Sequence, residues 1–413
     1  MNVPTKSAAI EVEIHGNYVD GREIEAGTGH GEMLDVRNPA TGDVIARIPN
    51  STGQDVERAM TSARAAFEGK EWGGMDIRSR ARLVNRLADA FEANLESLYR
   101  LETLNNGRPL NETRAQLSRL PDFFRYFAGL ALSRRDSVIP VEGSYLNYTL
   151  RTPIGVVANC TPFNHPLMIL CKSLAAVLAS GCVTVVKPSE YTPLTTLKLA
   201  KIFTEAGLPP GVFNIVNGLG ASAGRILAEH PDINKLVLTG GTEAGRLAGS
   251  AAAKVFAHQT LELGGKTPDM VFEDFDIDRA VNYAAFGAFI GAGQTCVCAL
   301  RHLVQASIYD EFVEKLKRKT ESIRIGDPFD ATTQLGPVIS ARQRDRVLSY
   351  CGFGRDEGAR LVAGAGPRER LFRAADRVRR REKQHAHLPG RSVRAVHIGD
   401  ALQGRSRSAA AGQ

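Results

Sequence analysis

The chain has 413 residues, 43% of them hydrophobic and 23% charged, which is the composition of an ordinary soluble globular protein with room for two domains. No apolar run approaches the ~20 residues needed to cross a bilayer, and the N-terminus lacks the apolar core of a secretory signal. Six cysteines are too few for a disulfide framework in so long a chain, so we expect reduced thiols and a cytoplasmic location.

The net charge of +7 comes from one end of the chain. Residues 367–413 hold twelve Lys and Arg against four Asp and Glu, whereas the rest of the chain holds 40 against 41. The body of the protein is therefore close to neutral, which argues against nucleic acid as a partner of the fold.

Apolar residues at three- and four-residue spacing predict helices from about Val56 to Phe127. We expect these helices to pack together and to carry no chemistry. A Glu-Gly turn between β-prone runs predicts a hairpin at residues 137–151.

Strands and helices alternate after residue 155, which predicts an α/β fold with a doubly wound, Rossmann-like parallel sheet. Such sheets bind ligands at the carboxyl ends of their strands. The predicted strands are 155–159, 183–186, 213–216 and 236–239, and the predicted helices are 166–180, 192–206, 221–230 and 242–254.

We call the segment that follows the carboxyl end of a predicted strand a strand exit. Two strand exits are rich in glycine. Residues 218–224 (GLGASAG) differ from the dinucleotide fingerprint G-x-G-x-x-G only in the spacing of the last glycine. Residues 240–246 (GGTEAGR) resemble a phosphate loop in which Arg246 replaces the lysine that grips phosphate, so an NTPase is not expected. Both stretches can offer backbone N–H groups to a phosphate, and both can equally be ordinary tight turns.

Two other exits carry charged side chains. Lys187 and Glu190 follow a buried strand, where they could grip ribose hydroxyls or form a solvated pair. Glu262 lies between two leucines, so we expect a partly buried carboxylate with a raised pKa, which is a candidate general base. The alternative is a structural acid paired with a backbone amide or a lysine.

The stretch GQTCVC (293–298) holds two cysteines separated by one residue. No second cysteine pair or histidine cluster accompanies them, which argues against zinc, and the short span argues against a disulfide. The remaining interpretation is a single nucleophilic cysteine. The alternative is a cysteine that is only buried and has no chemical role. Cys296 follows a glycine-rich approach, whereas Cys298 begins an apolar run and is expected to be buried.

These pieces resemble the aldehyde dehydrogenase superfamily from about Asn17 to Gly366. The motifs that carry the resemblance are NPATG (38–42), TPFNHPL (161–167), VVKPSE (185–190), TGGTEAG (239–245), LELGGK (261–266) and GQTCVC (293–298). The resemblance implies oxidation of a small-molecule aldehyde to a carboxylic acid, with NAD as cofactor and NADP as the alternative. It also implies a homo-oligomer, although the C-terminal strand that makes the family's contact is missing. On the residues alone, we expect neither a metal nor a membrane as a partner.

The resemblance assigns roles to particular residues. Cys296 would attack the aldehyde carbonyl, Asn164 and the backbone N–H of Cys296 would stabilise the oxyanion, and Glu262 would activate water to hydrolyse the thioester. Lys187 and Glu190 match the positions that hold the adenosine ribose, and the carboxylate of Glu190 favours NAD over NADP. The residues that would lie along the cofactor are Gly220, Thr239, Gly240, Gly241 and Gly245.

The chain departs from the family pattern at three positions and at its end. Gly241 stands where serine is usual, Phe163 replaces a common tryptophan, and Ser173 falls where a lysine is frequent. After Gly366 a basic tail replaces a strand-rich half-domain, a Glu-x-x-Phe-Gly-Pro segment and an oligomerising strand. A disordered arm and a nucleic-acid or membrane-surface tail are two interpretations, but a reading-frame slip is preferred, because shifted codons can restore the family's motifs.

The predicted domains follow from these motifs. Residues 1–257 form a helical segment and the NAD-binding domain with its oligomerisation hairpin, 258–366 an incomplete catalytic domain, and 367–413 the disordered or out-of-frame tail. Missing strands would expose sheet edges, which puts the activity of this chain in doubt. The alternatives to a dehydrogenase are an inactive remnant or a protein that binds nucleic acid through its tail. Acyl transfer to coenzyme A fits poorly, because Glu262 supplies a base for water.

Overall fold

The computed structural model describes residues 12–25 and 31–363 together with the backbone of 379–381 and 393–397. Its helices are α1 (Gly53–Glu68), α2 (Ile77–Ala93), α3 (Leu95–Asn106), α4 (Leu110–Leu117), α5 (Pro121–Leu132), α6 (Pro166–Ser180), α7 (Leu194–Glu205), α8 (Arg225–Glu229), α9 (Thr242–Lys254), α10 (Ile277–Phe289), α11 (Tyr309–Glu321) and α12 (Ala341–Asp356). Among these helices, none is long and apolar enough to cross a membrane.

The strands of the described residues form four sheets. They are β1 (Glu13–Ile14), β2 (Asn17–Val19), β3 (Arg22–Ile24), β4 (Met33–Arg37), β5 (Val44–Pro49), β6 (Val138–Ile139), β7 (Asn147–Tyr148), β8 (Val156–Cys160), β9 (Val183–Lys187), β10 (Phe213–Ile215), β11 (Lys235–Thr239), β12 (His258–Glu262), β13 (Thr267–Val271), β14 (Ala299–Gln305), β15 (Arg360–Leu361), β16 (Arg379–Arg381) and β17 (Val393–His397).

The largest sheet has the strand order β12-β11-β8-β9-β10-β2-β3. The five strands from β12 to β10 are parallel, whereas β2 and β3 extend the sheet in antiparallel pairing. Helices alternate with the parallel strands along the chain, so the predicted α/β class is confirmed. The predicted helical region and the predicted alternation of strands and helices are confirmed as well, with shifts of a few residues at most element ends. The exception is 221–230, which begins as a π-helical turn at Gly220–Gly224 before α8.

Local capping explains where several helices begin and end. Asp76 accepts hydrogen bonds from the backbone N–H groups of the first turn of α2, which satisfies donors that the helix itself cannot pair. Helix α6 begins at Pro166, a residue pre-organised for a first helical position, and it ends at Gly181 with φ 86°. The chain therefore leaves β8, turns at His165 and enters α6 within a few residues.

Two large hydrophobic cores are separated along the chain. The first joins the seven-stranded sheet to α1, α2, α5, α6 and α7, and the second joins β13 and β14 to α10 and α11. Strand β12 pairs with the first sheet, although the predicted domain limit at 257/258 assigns it to the second domain. The domain limits remain a prediction.

The second sheet has the order β13-β14-β17-β16-β15. Strands β16 and β17 belong to the tail after residue 366, and their backbones pair with each other and with β15 and β14. The remaining predictions for the tail, including the frame slip, fall outside the described residues.

The predicted hairpin is present but short. Strands β6 and β7 pair antiparallel over two residues each, and their side chains are exposed. Helix α5, the hairpin and the segment directly after it carry large exposed hydrophobic residues, namely Tyr126, Leu130, Leu132, Val138, Ile139, Val141, Tyr145, Leu146, Tyr148, Leu150 and Ile154. We call these residues the hairpin surface.

Candidate active site

The parallel strands end at one edge of the sheet and bring the predicted exits together. Their register aligns Thr239 with Glu262 and Cys160 with Lys187 on neighbouring strands. Strand β8 lies between β11 and β9, so the segment that follows it, which contains Asn164, emerges between the other exits. The topology thus collects the charged, amide and glycine residues that the sequence analysis singled out.

Lys187 is the last residue of β9 and is only 5% exposed. Its ammonium Nζ lies 3.5 Å from Glu190 Oε2, and the Glu190 side chain is half-buried. A buried ammonium needs a partner, because burial of an unpaired charge is costly. The two residues therefore form a polar pair at the strand exit, with the carboxylate on the solvent side.

The exit at residues 218–224 is held by a residue from outside the sheet. Asn50 Oδ1 accepts hydrogen bonds from the backbone N–H of Leu219 at 3.0 Å and from the hydroxyl of Ser222 at 2.6 Å. Gly218 has φ 138° and a Cβ there would lie 2.9 Å from Asn50 Oδ1, so this glycine is required for the turn. Gly220 itself is exposed, and no described atom lies within 4 Å of the place a Cβ would take.

The exit after β11 leads directly into α9. The backbone N–H of Gly240 donates to Glu262 O at 3.0 Å, which continues the pairing of β11 with β12. Gly241 precedes the first residue of α9, and within the described residues no side chain caps that helix end. Gly245 faces Leu263, the residue after β12, and a Cβ at position 245 would lie 2.4 Å from Leu263 Cδ2. The glycines bring α9 close to the sheet and leave its N-terminus open.

Glu262 is exposed, so the prediction of a partly buried carboxylate is wrong. The reason is its place in the sheet: among the described strands, β12 is an edge strand that pairs only with β11, and the apolar residues around Glu262 are themselves only half-buried. The pattern of an acid between leucines did not distinguish an edge strand from a central one. The carboxylate is nevertheless free to meet solvent water at the same edge of the sheet.

The loop before Cys296 has an unusual backbone. Gly291, Ala292 and Gly293 have φ values of 59°, 56° and 71°, so three successive residues occupy the left-handed region. For alanine that region is sparsely populated. The loop ends at Cys296, whose side chain is half-buried, while the carbonyl oxygen of Cys296 lies against Gly265, where a Cβ would be 2.5 Å away. Gly265 thus lets the LELGGK segment approach the cysteine loop.

The two cysteines of GQTCVC differ in environment. Cys298 is fully buried, and burial raises the pKa of its thiol to about 11. A thiol with so high a pKa is almost entirely protonated at neutral pH and is a poor nucleophile. Cys296 is the more accessible thiol of the pair. All six cysteines lie in the described residues and are free thiols.

Asn164 contacts the cysteine loop directly. Its amide Nδ2 donates to Gln294 O at 2.8 Å, and its Oδ1 accepts from the backbone N–H of His165 at 2.9 Å. From α3, Asn106 Nδ2 donates to the carbonyl oxygens of Phe163 and Asn164. The amide of Asn164 is therefore fixed against Gln294, which is two residues before Cys296.

The expectation that the first helices carry no chemistry missed part of the site. Glu102 and Arg108 form a buried ion pair, and Arg108 reaches His165 next to Asn164. Glu112 Oε2 accepts from the backbone N–H of Gly291 at 3.3 Å. The signal available in the sequence was a charged residue at positions that helical periodicity assigns to the interior, as at Glu102.

Comparison with known proteins shows the family to which the chain is similar. A profile described as the aldehyde dehydrogenase family matches residues 26–374. A putative aldehyde dehydrogenase of Bacillus subtilis is 40% identical over 348 residues, covering 84% of this chain and 70% of the relative. The mitochondrial aldehyde dehydrogenase of Homo sapiens is 42% identical over 335 residues, covering 80% of this chain and 64% of the relative.

Solved structures match the fold of the chain. Betaine aldehyde dehydrogenase of Staphylococcus aureus in complex with NAD+ matches with a TM-score of 0.83 at 36% identity, covering 87% of this chain and 72% of that one. An NAD+ complex of aldehyde dehydrogenase from Bacillus cereus matches with a TM-score of 0.85 at 36% identity, covering 90% of this chain and 76% of that one.

The fold and the site define a Rossmann-like cofactor domain whose strand exits lie beside the loop of an accessible cysteine. The chain belongs to the aldehyde dehydrogenase family, whose members are NAD-dependent oxidoreductases acting on aldehydes. It spans about two thirds of the length of the curated relatives it matches, from 64% of the human protein to 70% of the Bacillus subtilis protein.

Proposed function

We propose that this chain oxidises a small-molecule aldehyde to a carboxylic acid with Cys296 as the nucleophile. The observation that carries the proposal is the 2.8 Å bond from Asn164 Nδ2 to Gln294 O, which holds an amide donor beside the loop of an accessible cysteine. The Cys296 thiolate would add to the aldehyde carbonyl carbon. The resulting oxyanion would be stabilised by the Asn164 amide and the backbone N–H of Cys296.

Residues at the strand exits fit a dinucleotide. The Lys187 ammonium and the Glu190 carboxylate are suited to ribose hydroxyls, and the open N-terminus of α9 is suited to phosphate. We assign Thr239, Gly240, Gly241, Gly245 and Gly220 to the same surface. These residues would hold NAD, which would supply a hydride acceptor for the thiohemiacetal carbon, whose loss of hydride gives the thioester. The Glu190 carboxylate repels a 2′-phosphate, so NAD is preferred over NADP.

Glu262 completes the proposed cycle. Its exposed carboxylate lies at the end of β12 and would take a proton from a water molecule as that water attacks the thioester carbonyl. The carbon–sulfur bond then breaks, the carboxylic acid leaves, and Cys296 returns as thiolate. A base that serves water distinguishes this cycle from acyl transfer to another thiol.

The hairpin surface supports a homo-oligomer as the assembled form. Tyr145 is 81% exposed, Leu146 75% and Val138 70%, and an apolar run of this extent is typical of an interface. We also propose a cytoplasmic location, which is supported by the six free thiols.

The proposal is tested with the full chain, NAD and a panel of aliphatic and aromatic aldehydes. Absorbance at 340 nm reports NADH, and mass spectrometry of peptides reports an acyl adduct on Cys296. We expect both signals, and we expect Cys296→Ser to abolish them while Cys298→Ser keeps them. A chain that forms neither NADH nor an adduct at Cys296 with any aldehyde would overturn the proposal.

A further inference from the structure

Two neighbouring residues after β8 bind two neighbouring residues before Cys296. Asn164 Nδ2 donates to Gln294 O at 2.8 Å, and His165 Nε2 lies 2.8 Å from Thr295 Oγ1. The first bond joins the Asn164 amide to the loop before Cys296. The second bond joins the next residue of each segment, His165 and Thr295. The loop is therefore tied twice to the segment that opens α6.

The hydrogen bonds around the imidazole determine its tautomer. Arg108 Nη1 lies 2.7 Å from His165 Nδ1, and a guanidinium can only donate, so Nδ1 must accept. The ring proton is then on Nε2, which donates to the hydroxyl of Thr295. That hydroxyl in turn lies 3.3 Å from Ile290 O, which accepts its proton. A directed chain of bonds thus runs from Arg108 through His165 to the loop.

The residues of this chain of hydrogen bonds are buried, and the imidazole of His165 is uncharged. His165 is 1% exposed and Arg108 3%. Burial first, and then the charges of Arg108 and Lys172, hold the pKa of His165 well below its usual range, so the ring is neutral. The carboxylates that face Arg108 are Glu102, fully buried, and Glu112, half-buried. Glu102 also accepts from the backbone N–H of Leu167 in the first turn of α6.

The loop needs such a restraint because its own backbone does not favour the observed conformation. Ala292 has φ 56°, and the flanking glycines are free to adopt many other conformations. Strained segments persist only where surrounding contacts hold them. His165 occupies the position before the first residue of α6 but does not cap that helix, so its ring is available for the loop.

We propose that His165 is a positioning residue for the nucleophile: through Thr295 it holds the Cys296 loop in register with the amide of Asn164. The proposal rests on the proposed function, because it assumes that Cys296 and Asn164 act on one carbonyl group. It predicts that loss of the bond impairs the step in which an oxyanion forms and spares the intrinsic reactivity of the thiol.

Two reagents separate these effects without cofactor or aldehyde. With 4-nitrophenyl acetate, the Cys296 sulfur bonds to the acetyl carbon through an oxyanion, and 4-nitrophenolate leaves. With iodoacetamide, the sulfur displaces iodide and no oxyanion forms. Release of nitrophenolate and peptide mass spectrometry give the two rates at Cys296, and alkylation of the half-buried Cys351 provides an internal reference.

The variants are His165→Phe, which removes the bond, Thr295→Val, which removes its acceptor, and His165→Gln, which can keep a donor to Thr295. Thr320→Val is the matched control, since it removes a buried threonine hydrogen bond of 2.8 Å on α11. We expect the first two variants to lower the acylation rate by about tenfold or more, because small misplacements of reacting groups have effects of this size. Alkylation should be unchanged, and His165→Gln should recover acylation.

Three results would overturn the proposal. Acylation of His165→Phe at the wild-type rate, or a parallel fall of acylation and alkylation with folding intact in thermal unfolding, would remove the positioning role and leave the proposed function standing. If His165→Phe does not fold, Thr295→Val alone decides between these outcomes. Wild-type chain that is not acylated at Cys296 would overturn the proposed function, and the positioning role with it.

Discussion

Lys187 Nζ lies 3.5 Å from Glu190 Oε2 at the point where the fully buried strand β9 leaves the sheet. The buried ammonium keeps the carboxylate next to the exit, where a cofactor's ribose would meet it. In the proposed function, this pair would connect a feature of the core, a strand with no exposed residue, with the choice between NAD and NADP.

Replacing Glu190 by serine should therefore weaken the preference for NAD. The serine hydroxyl can donate to a 2′-phosphate, whereas the carboxylate repels it. We expect the ratio of kcat/KM for NADP to that for NAD to rise by about tenfold, which corresponds to ~1.4 kcal/mol. Steady-state kinetics with both cofactors measure the ratio, and Glu190→Asp, which retains the charge, should leave it near the wild-type value. An unchanged ratio in Glu190→Ser would remove Glu190 from the ribose site.

Glu262→Gln should uncouple the two halves of the reaction. The amide cannot take a proton from water, so thioester hydrolysis should slow by on the order of 10²-fold or more while the acyl enzyme still forms. Rapid-mixing absorbance should then show one equivalent of NADH per site followed by very slow turnover. Glu205→Gln, which removes an exposed carboxylate at the end of α7 that has no proposed role, is the control and should turn over normally. Normal steady-state turnover in Glu262→Gln would assign the base elsewhere.

Gly265→Ala should disturb the approach of two chain segments. A Cβ at this position would lie 2.5 Å from Cys296 O, and two backbones must move apart to relieve the contact. We expect a loss of about 1–3 kcal/mol in the free energy of unfolding, together with slower acylation of Cys296. Urea denaturation measures the first and nitrophenolate release the second. Gly352→Ala is the control, because a Cβ at this helical position would have no described atom within 4 Å apart from its own helix backbone. This variant should be as stable as wild type or slightly more stable.

The neutral state of His165 predicts a pH dependence of stability. Burial and the Arg108 guanidinium lower the pKa of His165 in the folded chain, so below about pH 6.5 the unfolded chain binds a proton that the folded chain does not. The free energy of unfolding should therefore fall with decreasing pH, by about 1.4 kcal/mol per pH unit from this residue. Urea denaturation between pH 5 and 8 should show a shallower slope in His165→Gln. The exposed His258→Gln should keep the wild-type slope, and equal slopes in all three proteins would contradict the prediction.

The hairpin surface predicts a change of assembly. Tyr145→Ser combined with Leu146→Ser removes two of its most exposed apolar side chains, so the proposed homo-oligomer should dissociate towards smaller species. Sedimentation velocity over a range of concentrations measures the distribution. Leu247→Ser, an exposed leucine on α9 that is outside the hairpin surface, is the control for loss of an apolar side chain. A double variant that sediments like wild type would place the interface elsewhere.

The order of elements could be read from the sequence, because the alternation of short apolar strands with amphipathic helices is a local property. The same holds for the exits, since Lys187 ends a strand and Glu190 and the glycines come shortly after strands in the chain. The contrast between Cys296 and Cys298 was also local, because one follows glycines and the other opens an apolar run. Six motifs in family order then assigned roles to these residues.

The tertiary structure alone decided how exposed Glu262 is and what surrounds Asn164. Glu262 looked interior between its leucines, but β12 lies at the edge of the sheet, and strand order is set by pairing between distant segments. Arg108 and His165 are 57 residues apart, and His165 and Thr295 are 130 apart, so no periodicity could reveal that they bind one another. Sequence spacing reports neighbours along one element, whereas the buried contacts that restrain the Cys296 loop exist only after separate elements have packed together.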